Sequence, residues 1–194
     1  MAKGISVEAL QFEKPGPSNT DDCLRAAVRR ASALKLRAIV VASDSGKTAL
    51  KALDHAVPLD LQVIVVSASW GYQAPNEHPM ETAARVELEN RGASVVTAAH
   101  AFGGVGRAVR HKLETYQVDE IMAYTLRMLG QGVKVGVEIA LMAADAGLVR
   151  TDEDIVCVAG TGRGADTAMV VQPANSHNAF DLKVREIIAK PRHF

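Results

Sequence analysis

The chain has 194 residues, 48% of them apolar, and its 22 Lys and Arg balance 22 Asp and Glu. That length suits one domain with a sizeable core, and a net charge near zero gives none of the clustered basic footprint that nucleic acid requires. Two cysteines, Cys23 and Cys157, form no CxxC pair, which argues against a disulfide scaffold and for a reducing cytoplasm, and no apolar run approaches the roughly 18 residues of a membrane span.

The opening MAKGISVEALQFEKPG carries no long apolar run and does not read as a signal peptide. Residues 5–12 alternate apolar and polar, predicting a strand; KPGPSNT is a loop. Thr20 or Asn19 can cap a helix with Asp21 and Asp22 in its first turn, and Leu24, Ala27, Val28, Ala31 and Leu34 fall at helical spacing. RAIVVAS is a short apolar strand of the kind covered on both faces. DSGKTALKALDHA is a turn entering a helix, LQVIVVSAS a second buried strand and WGYQAPNEHP a loop. Pro79 suits the first turn of the next helix, METAARVELEN, and Gly92 its end. SVVTAA is a third strand, followed by the loop HAFGGVG and the helix RAVRHKLETY, whose Arg107, Arg110, His111 and Lys112 read as a solvated face. Residues 118–129 look helical, VKVGVEIALMAADAG is a helix closed by Gly147, and DIVCVAG is a fourth buried strand. Strands alternating with helices predict an α/β domain: a mostly parallel sheet with helices on both faces. Ligands in such sheets bind beyond the carboxyl ends of the strands, where most of the glycines fall.

Four glycine loops are candidates for chemistry. ASDSGKTA ends like a phosphate-binding P-loop, but Val41 stands where the motif needs glycine. Ser43, Ser45 and Thr48 still offer hydroxyls, Gly46 permits close backbone approach, Lys47 adds charge, and the helix start offers free N–H groups. The same residues read equally as a helix capped by Asp44 or Ser45. In HAFGGVGR, Gly103, Gly104 and Gly106 free the backbone, Arg107 can grip a phosphate or carboxylate, and His100 can donate a hydrogen bond. No second histidine stands at metal-ligand spacing from it, so no metal site is expected. RMLGQGVKV reads as a flexible joint between helices. In CVAGTGRGADTAMVV, Gly160, Gly162 and Ala165 meet the spacing of a dinucleotide fingerprint. The following ADTAMVVQPA is too short and β-branched for the required helix, so the loop joins two strands and the fingerprint fails. An anion-binding nest remains, with Arg163 reinforcing it and Asp166 or Thr167 holding the turn or a ligand hydroxyl; the alternative is a glycine-rich hairpin.

SGKTA after AIVVAS, and the later DEDIVCVAGTGRGADTAMVVQP, resemble the C-terminal domain of pyruvate kinase. TLRMLGQGVKVGVEIALMAADAGL and GTGRGADTA are similar to segments of a family of stand-alone proteins built like that domain, over residues 12–191. The resemblance implies a three-layer α/β domain with a parallel core and an antiparallel final strand. It implies no pyruvate kinase activity, since that chemistry belongs to a separate barrel of about 250 residues. It implies a phosphorylated small molecule bound between residues 43–48 and 160–167, with Thr161 and Gly164 among the contacts, and flavin mononucleotide (FMN) as the cofactor, its ring near Trp70, Tyr72 or His100. The glycine loop is shorter than in the kinase and lacks its tryptophan- and proline-bearing insertion, which counts against a sugar bisphosphate. Two other readings stay open. One is a flavin-independent phosphometabolite enzyme using His100, Asp44 and Asp166 in acid–base roles; the other is a regulatory or assembly module, with a homo-oligomer implied either way.

Overall fold

A computed structural model describes residues 4–194; Met1, Ala2 and Lys3, part of the opening read above, lie outside the described residues. Seven strands form one sheet: β1 (Leu10–Phe12), β2 (Ala38–Ala42), β3 (Gln62–Ser67), β4 (Ser94–Thr97), β5 (Ile155–Ala159), β6 (Thr167–Gln172) and β7 (Lys183–Pro191). Their order is β1-β7-β6-β5-β2-β3-β4. β5, β2, β3 and β4 run parallel, while β6 is antiparallel to both its neighbours. The mostly parallel sheet with an antiparallel end is as expected, and β7 adds a further strand beyond it.

Among the described residues there are six α-helices: α1 (Thr20–Ala33), α2 (Lys47–Ala56), α3 (Thr82–Asn90), α4 (Val105–Leu113), α5 (Val118–Arg127) and α6 (Gln131–Asp145), with α4 packed on α5 and burying no residue of its own. Apolar residues of α1, α2 and α3 pack with Ile39, Val41, Val63, Val65, Val156 and Val158 on one face. Those of α5 and α6 pack with Val40, Ile64, Cys157 and Met169 on the other. Successive side chains of a strand point to opposite faces, so a strand covered on both needs an unbroken apolar run, as in AIVVA and IVCVA. Cys23 and Cys157 are free and buried, and burial pushes both thiols far above the ordinary range. No described helix is long and apolar enough to cross a membrane.

Four expectations are corrected. The strand read over residues 5–12 shrinks to β1, because only Leu10, Gln11 and Phe12 find partners on β7, and Ile5 is 87% exposed. α3 begins at Thr82 after an extended Glu81, so Pro79 precedes the helix. Leu34 sits past the end of α1 and is exposed. The GQG joint is more than a flexible link. Gly130 takes a φ of +120° at the bend, whereas a Cβ on Gly132 would run into Thr167, and one on Gly136 would lie 2.5 Å from Met169 Cε. Missing side chains let α6 ride close on β6.

Candidate functional site

β2 and β5 lie side by side, with Val41 opposite Val158. From β2 the chain leaves into α2 on one face of the sheet; it enters β5 from α6 on the other. The strand order reverses between β2 and β5, with β3 and β4 on one side and β6 and β7 on the other, and sheets of this kind bind ligands in a crevice beyond the strand ends at such a switch point. A cleft of about 910 Å³ opens there, inside the roughly 300–1,000 Å³ typical of small-molecule sites. Its lining includes Ser43, Asp44, Ser45, Lys47, Thr48, His100, Arg107, Gly160, Gly162, Arg163 and Gly164.

The turn after β2 is held from within. The Ser43 hydroxyl accepts the Ala49 N–H at 3.3 Å, and Asp44 Oδ1 accepts the Ala68 N–H at 2.9 Å. Gly46 occupies the N-cap position of α2, and Ser43, rather than Asp44 or Ser45, supplies the side-chain acceptor to its first turn. Gly46 takes a φ of +82° with its Cα turned toward Ala84 and Leu88; it shapes the turn and does not line the cleft. The Lys47 and Thr48 N–H groups, in the first turn of α2, meet no acceptor among the described residues.

The turn after β5 has a root and a rim. At the root, the fully buried Asp166 accepts the N–H of Gly16 (3.2 Å) and of Thr161 (3.1 Å) through Oδ2 and the Thr167 hydroxyl through Oδ1 (2.8 Å). Thr20 does not cap α1: its hydroxyl donates to Pro17 O and accepts the Ala165 N–H. A Cβ on Gly164 would lie 2.5 Å from that hydroxyl. Asp166 and Thr167 thus hold the turn and stay out of the cleft, which removes Asp166 as an acid–base candidate. Thr161 points inward, its Oγ1 buried without a partner. At the rim, Gly162 and Gly164 take φ of +81° and +70°. Their N–H groups, and that of Gly160, meet no acceptor among the described residues.

The third side comes from the loops after β3 and β4. Arg107 crosses over Gly103, where a Cβ would lie 2.9 Å from Nη2, and its guanidinium sits 5.2 Å from the Tyr72 ring centre. The Tyr72 and His100 rings lie 4.7 Å apart, tilted by 51° to each other. Arg107 therefore faces the cleft and not bulk solvent, unlike Arg110, which pairs with Glu120. Gly104 precedes α4 and accepts the Arg107 N–H with its carbonyl, outside the lining. Trp70 also lies outside it, against His78. Burial lowers the His100 pKa, with Glu138 opposing and Lys134 assisting, so the neutral imidazole is favoured; its ring nitrogens bond to no described residue.

The site contains residues that the sequence reading passed over. One stripe of α6 lines the cleft: Gln131, Lys134, Val135, Glu138, Ile139 and Met142. Lys134 is 4% exposed and Glu138 3%, and the two form an ion pair. Glu138 Oε1 also accepts the Phe102 N–H at 2.9 Å. The available signal was the apolar character of α6 all round, which marks a buried helix and hence buried charges on it. Arg127 lines the cleft as well, donating to Gln131 Oε1 at 2.7 Å.

Charge in the cleft is unbalanced. Lys51 is paired with Asp21, and Lys134 with Glu138. Lys47, Arg107, Arg127 and Arg163 form no ion pair with any carboxylate among the described residues. Asp44 is the one other carboxylate of the lining. With free backbone N–H groups at two turns, this surface can neutralise an anion, and Val135, Ile139 and Met142 can cover an apolar group.

The fold and cleft define a doubly wound α/β domain with a cation-lined crevice beyond its strand ends. A family model described as the pyruvate kinase alpha/beta domain matches residues 21–171, and the chain belongs to that family. A pyruvate kinase from Cryptosporidium parvum matches at 12% identity, over 79% of this chain and 22% of its own, with a TM-score of 0.40. The Cryptosporidium parvum pyruvate kinase in complex with ADP matches at 12% identity, over 87% and 23%, with a TM-score of 0.37. The chain spans about a fifth of the length of these pyruvate kinases.

Proposed function

We propose that the chain binds a phosphorylated small molecule in this cleft, with FMN as the ligand. The observation that carries the reading is the pairing of free backbone N–H groups at two turns, after β2 and after β5, with cations that no carboxylate compensates. Phosphate is a dianion near neutral pH and has oxygens enough for both turns at once. Lys47 and Thr48 would hold it from α2, and Gly162, Arg163 and Gly164 from the other side, with Arg127 adding charge.

The rest of the cleft suits a flat ring. Tyr72 and His100 offer stacking faces, Val135, Ile139 and Met142 an apolar surface, and the volume of about 910 Å³ leaves room for an isoalloxazine. When bound, a flavin supplies one- and two-electron transfer; the protein supplies binding, orientation and electrostatics. His100, neutral and without a protein partner on its ring, supports a second reading as a proton-transferring group toward a phosphorylated metabolite, with Asp44 beside it on the lining.

The test is the absorption and mass spectrum of what co-purifies, followed by titration with FMN and riboflavin. The proposal expects a yellow protein, or a colourless one that takes up FMN at least tenfold more tightly than riboflavin. Equal affinity for the two would remove the phosphate cradle, and a colourless protein carrying a sugar phosphate would favour the second reading.

A further inference from the structure

Phosphate accounts for one side of the cleft and leaves the other unexplained. Lys134 is buried in the α6 wall, yet among the described residues its ammonium has a single hydrogen-bond acceptor, Glu138. An ammonium carries three donors, and one without partners in a dry setting is costly. Phe102 lies 5.8 Å away with its ring face toward the Nζ, which softens the cost without supplying an acceptor. Arg107 repeats the pattern: its Nε is buried with no partner. Both residues line the cleft. Lys134 pairs with the one buried carboxylate there, Arg107 pairs with none among the described residues, and both have donors left over.

This cluster is separate from the phosphate rim. α6 packs on the opposite face of the sheet from α2, so a ligand held at Lys47 and Thr48 must cross the crevice to reach Lys134. A purely structural ion pair would fill its own hydrogen bonds, as Asp166 does with three donors a short way off.

We propose that Lys134, with Arg107, forms a second anchor that receives an electron-rich oxygen of the ligand, so that the ligand carries a carbonyl or carboxylate oxygen remote from its phosphate. The inference rests on the phosphate reading above. For FMN, Lys134 would receive a carbonyl oxygen of the ring's pyrimidine portion, and its positive charge would favour the anionic reduced form.

The experiment titrates the 194-residue chain and variants with FMN and riboflavin, and measures the midpoint potential of bound FMN. Lys134→Met is expected to weaken FMN and riboflavin by the same factor, about tenfold, and to make the potential of bound FMN more negative. Lys47→Ala combined with Arg163→Ala is expected to weaken FMN and leave riboflavin unchanged. Should Lys134→Met fold poorly because Glu138 loses its partner, Lys134→Met with Glu138→Gln removes both charges and keeps an acceptor for Phe102. Unchanged affinity and potential in the Lys134 variants would overturn the second anchor alone. Failure of the wild type to bind either flavin would overturn the anchor together with the flavin reading.

Discussion

The two sides of the cleft handle charge in opposite ways. At the rim, Lys47 and Arg163 are exposed, and the donors facing the crevice are mostly backbone N–H groups fixed by glycine turns. On the α6 wall, Lys134 and Glu138 are almost fully buried, and the donors are side chains held in place by packing. Backbone donors cost no side-chain entropy to order and suit a spherical anion approached from several directions. Buried side-chain donors act through a lower dielectric, are felt more strongly, and select for a particular group at a particular place. On the proposed reading, the rim would supply affinity for phosphate, and the wall discrimination among what the phosphate carries.

Breaking the rim at its root gives the largest effect. Asp166→Ala strands two part-buried backbone N–H groups and the buried Thr167 hydroxyl, and an unsatisfied buried group costs about 1–3 kcal/mol. A loss of about 3–5 kcal/mol in urea unfolding is expected, together with weaker FMN binding. A stable Asp166→Ala protein with full FMN affinity would mean that the rim does not depend on its root. Next comes the contact that brings the α6 wall to the sheet. Gly132→Ala forces a methyl into Thr167, and overpacking of this kind costs about 1–3 kcal/mol. Its thermal midpoint should fall, whereas Gly162→Ala, whose added Cβ meets nothing but sits on a φ of +81°, should lose only about 1 kcal/mol through backbone strain.

Removing rim charge is gentler on the fold and specific to the ligand. Lys47→Ala and Arg163→Ala should each weaken FMN by about tenfold, about 1.4 kcal/mol, with unfolding free energy changed by no more than about 0.5 kcal/mol. The loss should shrink as salt rises, because exposed charges are screened, while the Lys134 contribution should persist. A salt-independent rim would contradict the contrast between the two sides.

The smallest effect lies outside the cleft. Arg30 grips Glu186 through Nε and Nη2 at 2.7 Å each, and this holds the Glu186 carboxyl below its ordinary range. A folded-state pKa that is lowered stabilises above the ordinary glutamate value, and the stability is lost as the pH falls through the lower one. Glu186→Gln should therefore cost about 0.5–1 kcal/mol at neutral pH, and the gap from wild type should close below about pH 4. FMN affinity should not change.

The same contrast explains what could be read from the sequence. The parallel strands were legible because AIVVA, VIVV and IVCVA can be buried on both faces and little else. The rim was legible because glycines mark the turns: SGKT and GTGRG point to one sheet edge once the strands are known. Asp166 was read as a turn holder or ligand contact, and only three-dimensional partners decide between them, since Gly16 is 150 residues away. The α6 wall was hidden for a different reason. Lys134 and Glu138 have the i,i+4 spacing of an ordinary surface pair, and local spacing does not say which way a helix turns them. β7 went unread because KVREIIAKP mixes charges into the strand, its first residues being exposed.

The central claim is that one phosphate is shared by the turns after β2 and β5. A crystal structure of the complex with FMN tests it most directly. The account predicts phosphate oxygens within hydrogen-bonding distance of the Lys47 or Thr48 N–H and, at the same time, of the Gly162 or Gly164 N–H. A phosphate held by one turn alone, or turned toward Lys134 with the ring at the rim, would contradict it.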